Sequence, residues 1–178
     1  MSENGSPQED RLEKAYREML EQVAGDLEGA SDRGSLALNE MLENARRRVA
    51  EAEHLTQEET ERVMEYVRRD LHDLGAFLES SESDWRSWLR IDLTLIEASL
   101  LNALGTVADR TKLELAALAE RAYRVGEWHT GEITGPGELT CLECGGTMHL
   151  SRVGRIPPCP HCRNTRFHRG GPAPEGSE

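Results

Sequence analysis

The sequence predicts a mainly α-helical protein that ends in a small β module built around a metal site. Apolar residues recur at gaps of three and four between residues 12 and 125, as on one face of a helix. After Gly126 the pattern changes to short β-type runs separated by glycine. All four cysteines lie in this last part. We therefore expect an elongated antiparallel helical bundle, or coiled-coil hairpins, over residues 10–126 and the β module over residues 127–169.

Two amphipathic helices are predicted at the amino-terminal end. Residues 1–9 are polar and contain Gly and Pro, so we expect a disordered leader there. The stripe of the first helix is Leu12, Tyr16, Met19, Val23 and Leu27. A turn at residues 31–35 offers capping residues and a glycine before the second helix. The stripe of that helix is Leu38, Met41, Ala45, Val49 and Ala52.

The start of a third helix is marked by a capping box. Thr56 and Glu59 have the spacing at which the hydroxyl covers an amide of the first turn and the carboxylate reaches back. The stripe that follows is Val63, Val67, Leu71, Leu74 and Leu78. His54 and His72 have no partner residues at the spacing of a catalytic motif, so we expect both on the surface.

The longest periodic segment runs from Trp85 to about Arg124. It predicts one long helix, or two collinear helices separated by a bend near Gly105. No Gly-rich phosphate loop, Ser/His/Asp set or His-Glu-x-x-His motif occurs in the helical part. We therefore expect a non-enzymatic protein.

The β module is predicted from short runs between turn residues. The expected strands are residues 128–134, 139–141, 148–150, 155–156 and 165–168. Gly145 follows the first cysteine pair, where a metal-binding turn often needs a positive φ, and Asn164 is the candidate for this conformation after the second pair. Residues 170–178 are predicted to be a disordered tail.

The four cysteines form two Cys-x2-Cys pairs, Cys141 with Cys144 and Cys159 with Cys162. A two-residue gap lets a tight turn point both thiolates at one ion, and two such pairs make a tetrahedral site. The fourteen residues between the pairs fall just short of the usual spacing of about 15 to 20. We expect one structural zinc ion in a rubredoxin-like zinc ribbon, with His149 and His161 beside the site but not bound to the metal.

Disulfides and iron are the two alternatives to zinc for these cysteines. The amino terminus has neither a basic segment nor an apolar one, so we expect a cytoplasmic protein with reduced thiols and not two disulfides. Iron is harder to exclude, because four thiolates in a tetrahedral cage suit either metal. With iron, the chain would be a small rubredoxin-like electron carrier.

The charge distribution bears on the partners. The net charge is −12, and almost all of the acidic excess lies in residues 1–126, which should repel nucleic acid. No Asp or Glu occurs between Cys144 and Pro174, but this stretch contains Arg152, Arg155, Arg163, Arg166 and Arg169. These arginines either offset the charge of the metal site and pair with the acidic helices, or form a small basic face for RNA or DNA phosphates.

From these charges we expect direct nucleic-acid binding through the five arginines to be weak at most. The preferred partner is a protein or a nucleoprotein assembly, and the helices are candidates for self-association. No apolar run approaches the length of about 20 residues that a membrane span needs, so we expect no membrane partner.

Several segments carry a family resemblance. They are Asp109–Glu114, Trp128–Gly135, the two cysteine pairs, and Arg166 with Phe167. The chain resembles the bacterial YbeL-like zinc-ribbon proteins, a family defined by a domain of unknown function. The resemblance implies a cytoplasmic bacterial protein whose four cysteines bind zinc, and it implies no reaction. The acidic amino-terminal leader and the Gly/Pro-containing tail depart from the family pattern.

Overall fold

A computed structural model describes residues 7–29, 38–80, 84–111 and 126–169. The helices are α1 (Pro7–Gly29), α2 (Leu38–Ala52), α3 (Gln57–Ser80), α4 (Arg86–Leu89) and α5 (Ala98–Arg110). The strands are β1 (Trp128–His129), β2 (Ile133–Thr134), β3 (Gly137–Cys141), β4 (Thr147–Leu150), β5 (Gly154–Arg155) and β6 (Arg166–Arg169). The chain is mainly helical with a small antiparallel β module, which confirms the predicted fold class. Most of the predicted leader, the predicted tail, the turn at 31–35 and residues 112–124 lie outside the described residues.

The helical stripes meet in one apolar core. Helix α1 contacts α2, α3 and α5, so it lies at the centre of the bundle. All five residues of its predicted stripe are buried, as are the first four of the α2 stripe and all five of the α3 stripe. Periodicity alone was sufficient to predict that these stripes are buried, because neighbouring helices must remove an apolar stripe of this width from water.

The capping box at the start of α3 forms as predicted. The Glu59 amide donates to Thr56 Oγ1 (3.2 Å), and the Thr56 amide donates to Glu59 Oε2 (2.9 Å). Gln8 and Arg11 of α1 also donate to Glu59 Oε1, at 2.8 and 2.7 Å. The hydrogen bond from Gln8, followed by that from the Thr56 amide, lowers the pKa of Glu59 to about 2. One cap therefore also joins α1 to α3.

The long helix predicted from Trp85 is wrong. Helix α4 ends after four residues, because Arg90 adopts a left-handed conformation with φ 54°. The Asp92 side chain then accepts a hydrogen bond from the Thr94 amide and starts a 3-10 turn at Leu93–Leu95. Helix α5 begins only at Ala98. Apolar periodicity does not detect such a break, because Leu89, Leu93 and Ile96 keep helical spacing across it.

Gly105 lies inside α5, which is continuous from Ala98 to Arg110, so it does not break the helix. A Cβ atom at Gly105 would lie 2.8 Å from Cζ2 of Trp85, whose side chain is buried. The glycine therefore makes room for an indole ring that packs against the helix after the chain has turned back. The sequence signal was correct in marking Gly105 as special but wrong about the reason.

The β module consists of two small antiparallel sheets. Four strands are arranged in the order β1-β6-β3-β4, and β2 pairs with β5. The predicted run over residues 128–134 is divided, because a turn at residues 130–131 sends β1 and β2 into different sheets. The core of the four-stranded sheet consists of Trp128, Leu139, Cys141, Ile156, Cys159 and Phe167.

The β module is packed directly on the helices. Ile133 of β2 and Val153, which precedes β5, belong to the same apolar core as the helices. The β2 segment contacts α1 and α3, and α4 contacts β3. None of the helices in the described ranges is long and apolar enough to span a membrane.

Candidate metal centre

The four cysteines converge at one end of the β module. Their sulfur atoms all lie within 4.8 Å of one another. Cys141 Sγ is 3.6 Å from Cys162 Sγ, and Cys144 Sγ is 3.6 Å from Cys159 Sγ. A tetrahedral ion with metal–sulfur bonds of about 2.3 Å places its sulfurs about 3.8 Å apart. The cluster therefore has the size of a four-thiolate site for zinc, and it pairs each cysteine with one from the other half of the motif.

The two cysteine turns have the same backbone geometry. In the first turn the Gly145 amide donates to the Cys141 carbonyl (3.0 Å), and in the second the Arg163 amide donates to the Cys159 carbonyl (2.9 Å). Gly145 has φ 69° and Arg163 has φ 63°. The prediction for Gly145 is confirmed.

The prediction for Asn164 is wrong, because the left-handed residue is Arg163, one position earlier. Asn164 instead ties the second turn to β6. Its carbonyl accepts from the Cys159 amide (2.9 Å), and its Oδ1 accepts from the Arg166 amide (2.8 Å).

Backbone amides favour thiolates at this site. The Gly146 amide donates to Cys144 Sγ at 3.4 Å. The amides of Cys162 and His161 help to lower the pKa of Cys159 to about 6. The Asn164 amide also favours the Cys162 thiolate, but burial and the three neighbouring cysteines outweigh it and raise the pKa of Cys162 to about 12. Four negatively charged thiolates at these distances repel one another unless a cation lies between them, and a bound metal ion supplies that cation.

The two neighbouring histidines lie outside the cluster of four cysteines. His149 lies on β4, where its Nε2 is 3.0 Å from Glu138 Oε2. His161 lies in the second cysteine turn, with its ring against Gly146, where a Cβ atom would be 2.4 Å from His161 Cδ2. Cys141 and Cys159 are buried and Cys144 and Cys162 are exposed, so the cluster lies close to the protein surface.

The five arginines of the predicted basic face do not form one surface. Arg155 contacts α1, since its amide donates to Glu13 (3.2 Å) and its Nε is 3.6 Å from Glu9. Arg166 lies 4.0 Å from Glu127. Arg152 and Arg163 are exposed.

Arg169 does not fit the expected contact with phosphates, because it is only 8% exposed. Its guanidinium donates to the carbonyls of Pro136 (2.8 Å) and Gly135 (3.1 Å) and to Thr134 Oγ1 (2.8 Å). It also lies 4.4 Å from the ring centroid of Trp88. Arg169 therefore belongs to the interior of the protein.

Sequence reasoning missed a buried carboxylate, Asp70 of α3. Its Oδ2 accepts from Tyr16 Oη (2.5 Å), Thr134 Oγ1 (2.8 Å) and the Gly135 amide (2.9 Å). Its Oδ1 accepts from Trp128 Nε1 (2.9 Å) and from Arg69 (3.0 Å). The sequence carries only a weak sign, because Asp70 lies at the edge of the α3 stripe, three residues after Val67 and four before Leu74, while the stripe itself continues through Leu71.

Burial disfavours the charged form of Asp70, but the guanidinium groups of Arg69 and Arg169 and the hydrogen-bond donors outweigh it. They hold the pKa of Asp70 below its usual value. Arg169 lies 4.0 Å from the carboxylate. His72, two residues after Asp70 in α3, was expected on the surface and is instead buried, so that prediction is wrong.

Comparison with known proteins agrees with this site. A family model described as a zinc-ribbon containing domain matches residues 25–170. The curated relatives include the uncharacterized protein YbeL from three Escherichia coli strains, each 28% identical over 162 residues, which is 89% of this chain and 96% of the relative. No solved structure matches the chain. The expected resemblance is confirmed, and the chain belongs to the family of zinc-ribbon containing proteins whose function is unknown.

Proposed function

We propose that this chain is a non-enzymatic zinc-binding protein that holds one structural zinc ion and presents its helices and ribbon to a protein or nucleoprotein assembly. The observation that carries the proposal is the convergence of four cysteine sulfurs within 4.8 Å. Cys141, Cys144, Cys159 and Cys162 are the metal ligands in this proposal. When bound, zinc cross-links the two turns of a module whose own apolar core is small.

A structural role follows from the number of ligands. Four cysteines fill a tetrahedral shell, so no position is left for a water molecule or a substrate. A catalytic zinc site usually has three protein ligands and one open position. The cluster therefore suits a metal that stabilises the fold.

The arrangement of charges favours a protein partner over free nucleic acid. Two of the five ribbon arginines lie next to acidic groups of the same chain, and a third is buried, as described above. The chain as a whole carries a net charge of −12, which repels phosphates at long range. Contacts with a nucleoprotein assembly would then depend on its protein components.

Metal analysis of the full chain, purified without added metal, tests the proposal. We expect one zinc per chain in wild type. Cys144→Ser should sharply lower the zinc content, because a hydroxyl is a much poorer zinc ligand than a thiolate. Glu143→Gln is the matched control, since Glu143 is exposed in the same turn and lies outside the sulfur cluster. Wild type without bound metal, or equal zinc in Cys144→Ser, would contradict the assignment.

A rubredoxin-like electron carrier is the alternative. One observation favours it, because Cys144 and Cys162 are exposed and would bring an iron centre close to solvent and to a redox partner. The absorption spectrum of the same sample separates the two functions, since ferric thiolate is coloured and zinc thiolate is not. Stoichiometric iron with visible colour would replace the first proposal with this one.

A further inference from the structure

The buried Asp70 carboxylate joins the helices to the β module. Asp70 belongs to α3, and Tyr16, one of its donors, belongs to α1. Three more donors come from the β module: the Trp128 indole, the Thr134 hydroxyl and the Gly135 amide. We call Asp70 and these four residues the Asp70 junction. An ionised carboxylate in the interior is stable only when hydrogen-bond donors surround it. The helices supply the carboxylate, and the β module supplies three of the donors that it needs.

A row of side chains leads from this junction to the sulfur cluster. Trp128 on β1 pairs with Phe167 on β6, and Phe167 pairs with Cys141 on β3. Trp128 and Phe167 are fully buried, in the same small core as Cys141 and Cys159. The indole that donates to Asp70 is therefore part of the core that surrounds two of the four sulfurs.

Arg169 forms a second connection between the junction and the same sheet. It lies on β6 two residues after Phe167 and pairs with Leu139 of β3. Its guanidinium donates to Thr134 and lies 4.0 Å from Asp70. Space is reserved for it, because a Cβ atom at Gly137 would lie only 2.1 Å from Arg169 Nη1. Strand β6 is thus fixed at the junction by its last residue and at the metal centre by Phe167.

We propose that Asp70 is a positioning residue for the metal centre. Asp70 holds Trp128 and Arg169, and these residues fix the arrangement of β1, β6 and β3. The position of Cys141 on β3 depends on this arrangement. Metal binding and the packing of the β module on α1 and α3 therefore favour each other. This inference rests on zinc binding by the four cysteines, as proposed above. Linkage makes the effect reciprocal: docking raises the zinc affinity by the same factor by which zinc favours docking.

The first test compares zinc affinities of full-length variants, measured by competition with a chromophoric chelator. Asp70→Asn keeps the shape of the side chain but removes its charge, and we expect its zinc affinity to fall by about 5- to 150-fold, the usual range of coupling between two sites. Thr134→Val, which removes one donor to Asp70 and one acceptor of Arg169 but keeps the carboxylate, should cause a smaller fall. If Asp70→Asn does not fold, Thr134→Val decides the question.

Glu59→Gln is the matched control. Glu59 is a buried carboxylate of the same helix, and it accepts hydrogen bonds from Gln8 and Arg11 of α1 and from the amide of Thr56 in the capping box. A merely structural loss in α3 would lower the thermal stability of both variants. We expect the zinc affinity to fall in Asp70→Asn and Thr134→Val and to stay at the wild-type value in Glu59→Gln.

The second measurement is the indole N–H resonance of Trp128, assigned with Trp128→Phe. Removal of zinc from wild type by a strong chelator should shift or broaden this resonance together with the amide resonances near Tyr16 and Asp70. Wild-type zinc affinity in the folded Asp70→Asn variant, or in Thr134→Val when Asp70→Asn does not fold, would overturn the positioning role and leave the zinc site itself in place. A wild-type chain that takes up no zinc would overturn both.

Discussion

Two residues in equivalent positions of the cysteine turns show how backbone conformation shapes the candidate metal centre. Gly145 and Arg163 each follow the second cysteine of a pair, and both have a positive φ. Glycine adopts this conformation without penalty, whereas a residue with a side chain is strained there by about 1–2 kcal/mol. The second turn therefore stores strain that the first does not.

Substitutions at these two positions should have opposite effects on stability. Arg163→Gly relieves the strain, and after allowing for the greater freedom of glycine in the unfolded chain we expect a gain of about 0.5–1 kcal/mol. Gly145→Ala should cost about 1 kcal/mol or more, because alanine must adopt the left-handed conformation. Thermal unfolding of the zinc-loaded chain measures both.

Asn164→Gly is the control for this pair. Asn164 lies beside Arg163 but its φ is outside the left-handed region, and the substitution removes the Oδ1 acceptor for the Arg166 amide. We expect it to lower the melting temperature. A gain in Asn164→Gly together with a loss in Arg163→Gly would show that the positive φ belongs to Asn164.

At the scale of elements, the break between α4 and α5 separates what periodicity can predict from what it cannot. Spacing predicted one buried stripe on each of α1, α2 and α3, apart from the exposed Ala52 at the end of α2, because each of these helices is continuous. Between Leu89 and Ala98 the same spacing persists although the chain turns, since the left-handed φ of Arg90 and the Asp92 cap leave the apolar pattern unchanged. Local capping and backbone conformation, which propensity describes poorly, decided this part of the fold.

The turn brings Trp85 back onto α5, and this contact can be tested at two helical glycines. Gly105→Ala places a methyl group 2.8 Å from Cζ2 of the buried Trp85 ring, so we expect a loss of about 1–3 kcal/mol from overpacking. Gly25→Ala is the matched control, because no atom lies within 4 Å of its added Cβ. Helix propensity alone should make this variant more stable by about 0.5–1 kcal/mol.

Urea unfolding followed by far-ultraviolet circular dichroism measures both variants. Equal stabilisation by the two alanines would mean that Trp85 does not pack on Gly105 and that the segment from Trp85 is nearer to the continuous helix predicted from the sequence.

At the scale of the whole molecule, the metal site was easier to predict than its surroundings. Two Cys-x2-Cys pairs reveal a cluster of sulfurs because the chemistry lies within a short stretch of chain. Asp70 and Thr134 are 64 residues apart, and no local pattern indicates that they meet. A carboxylate at the edge of an apolar stripe was the available sign, but it does not say which donors satisfy it. The boundary at residue 126 therefore stays a prediction, since the two regions share a core.

The same long-range contacts determine how much positive charge the ribbon can offer to a nucleic acid. With Arg169 buried and Arg155 and Arg166 beside acidic groups, Arg152 and Arg163 are the most available members of the predicted basic face, although the charge of Arg152 also acts on Glu13 of α1. Two phosphate contacts give a salt dependence of log K on log salt of about −1.4 to −1.8, whereas five would give about −3.5 to −4.5. The net charge of −12 opposes even this attraction.

We therefore expect the full chain to show weak or undetectable binding to short labelled RNA and DNA at physiological salt, measured by fluorescence anisotropy. Any binding at low salt should have the shallow slope and should disappear in Arg152→Glu combined with Arg163→Glu. Arg47→Glu combined with Arg62→Glu makes the same change in net charge on exposed helical positions, and binding that depends on the ribbon should survive it better. Tight, sequence-selective binding by wild type, or a slope near −4, would mean that the buried and paired arginines reach the nucleic acid. Recognition of nucleic acid would then be the main function of the protein.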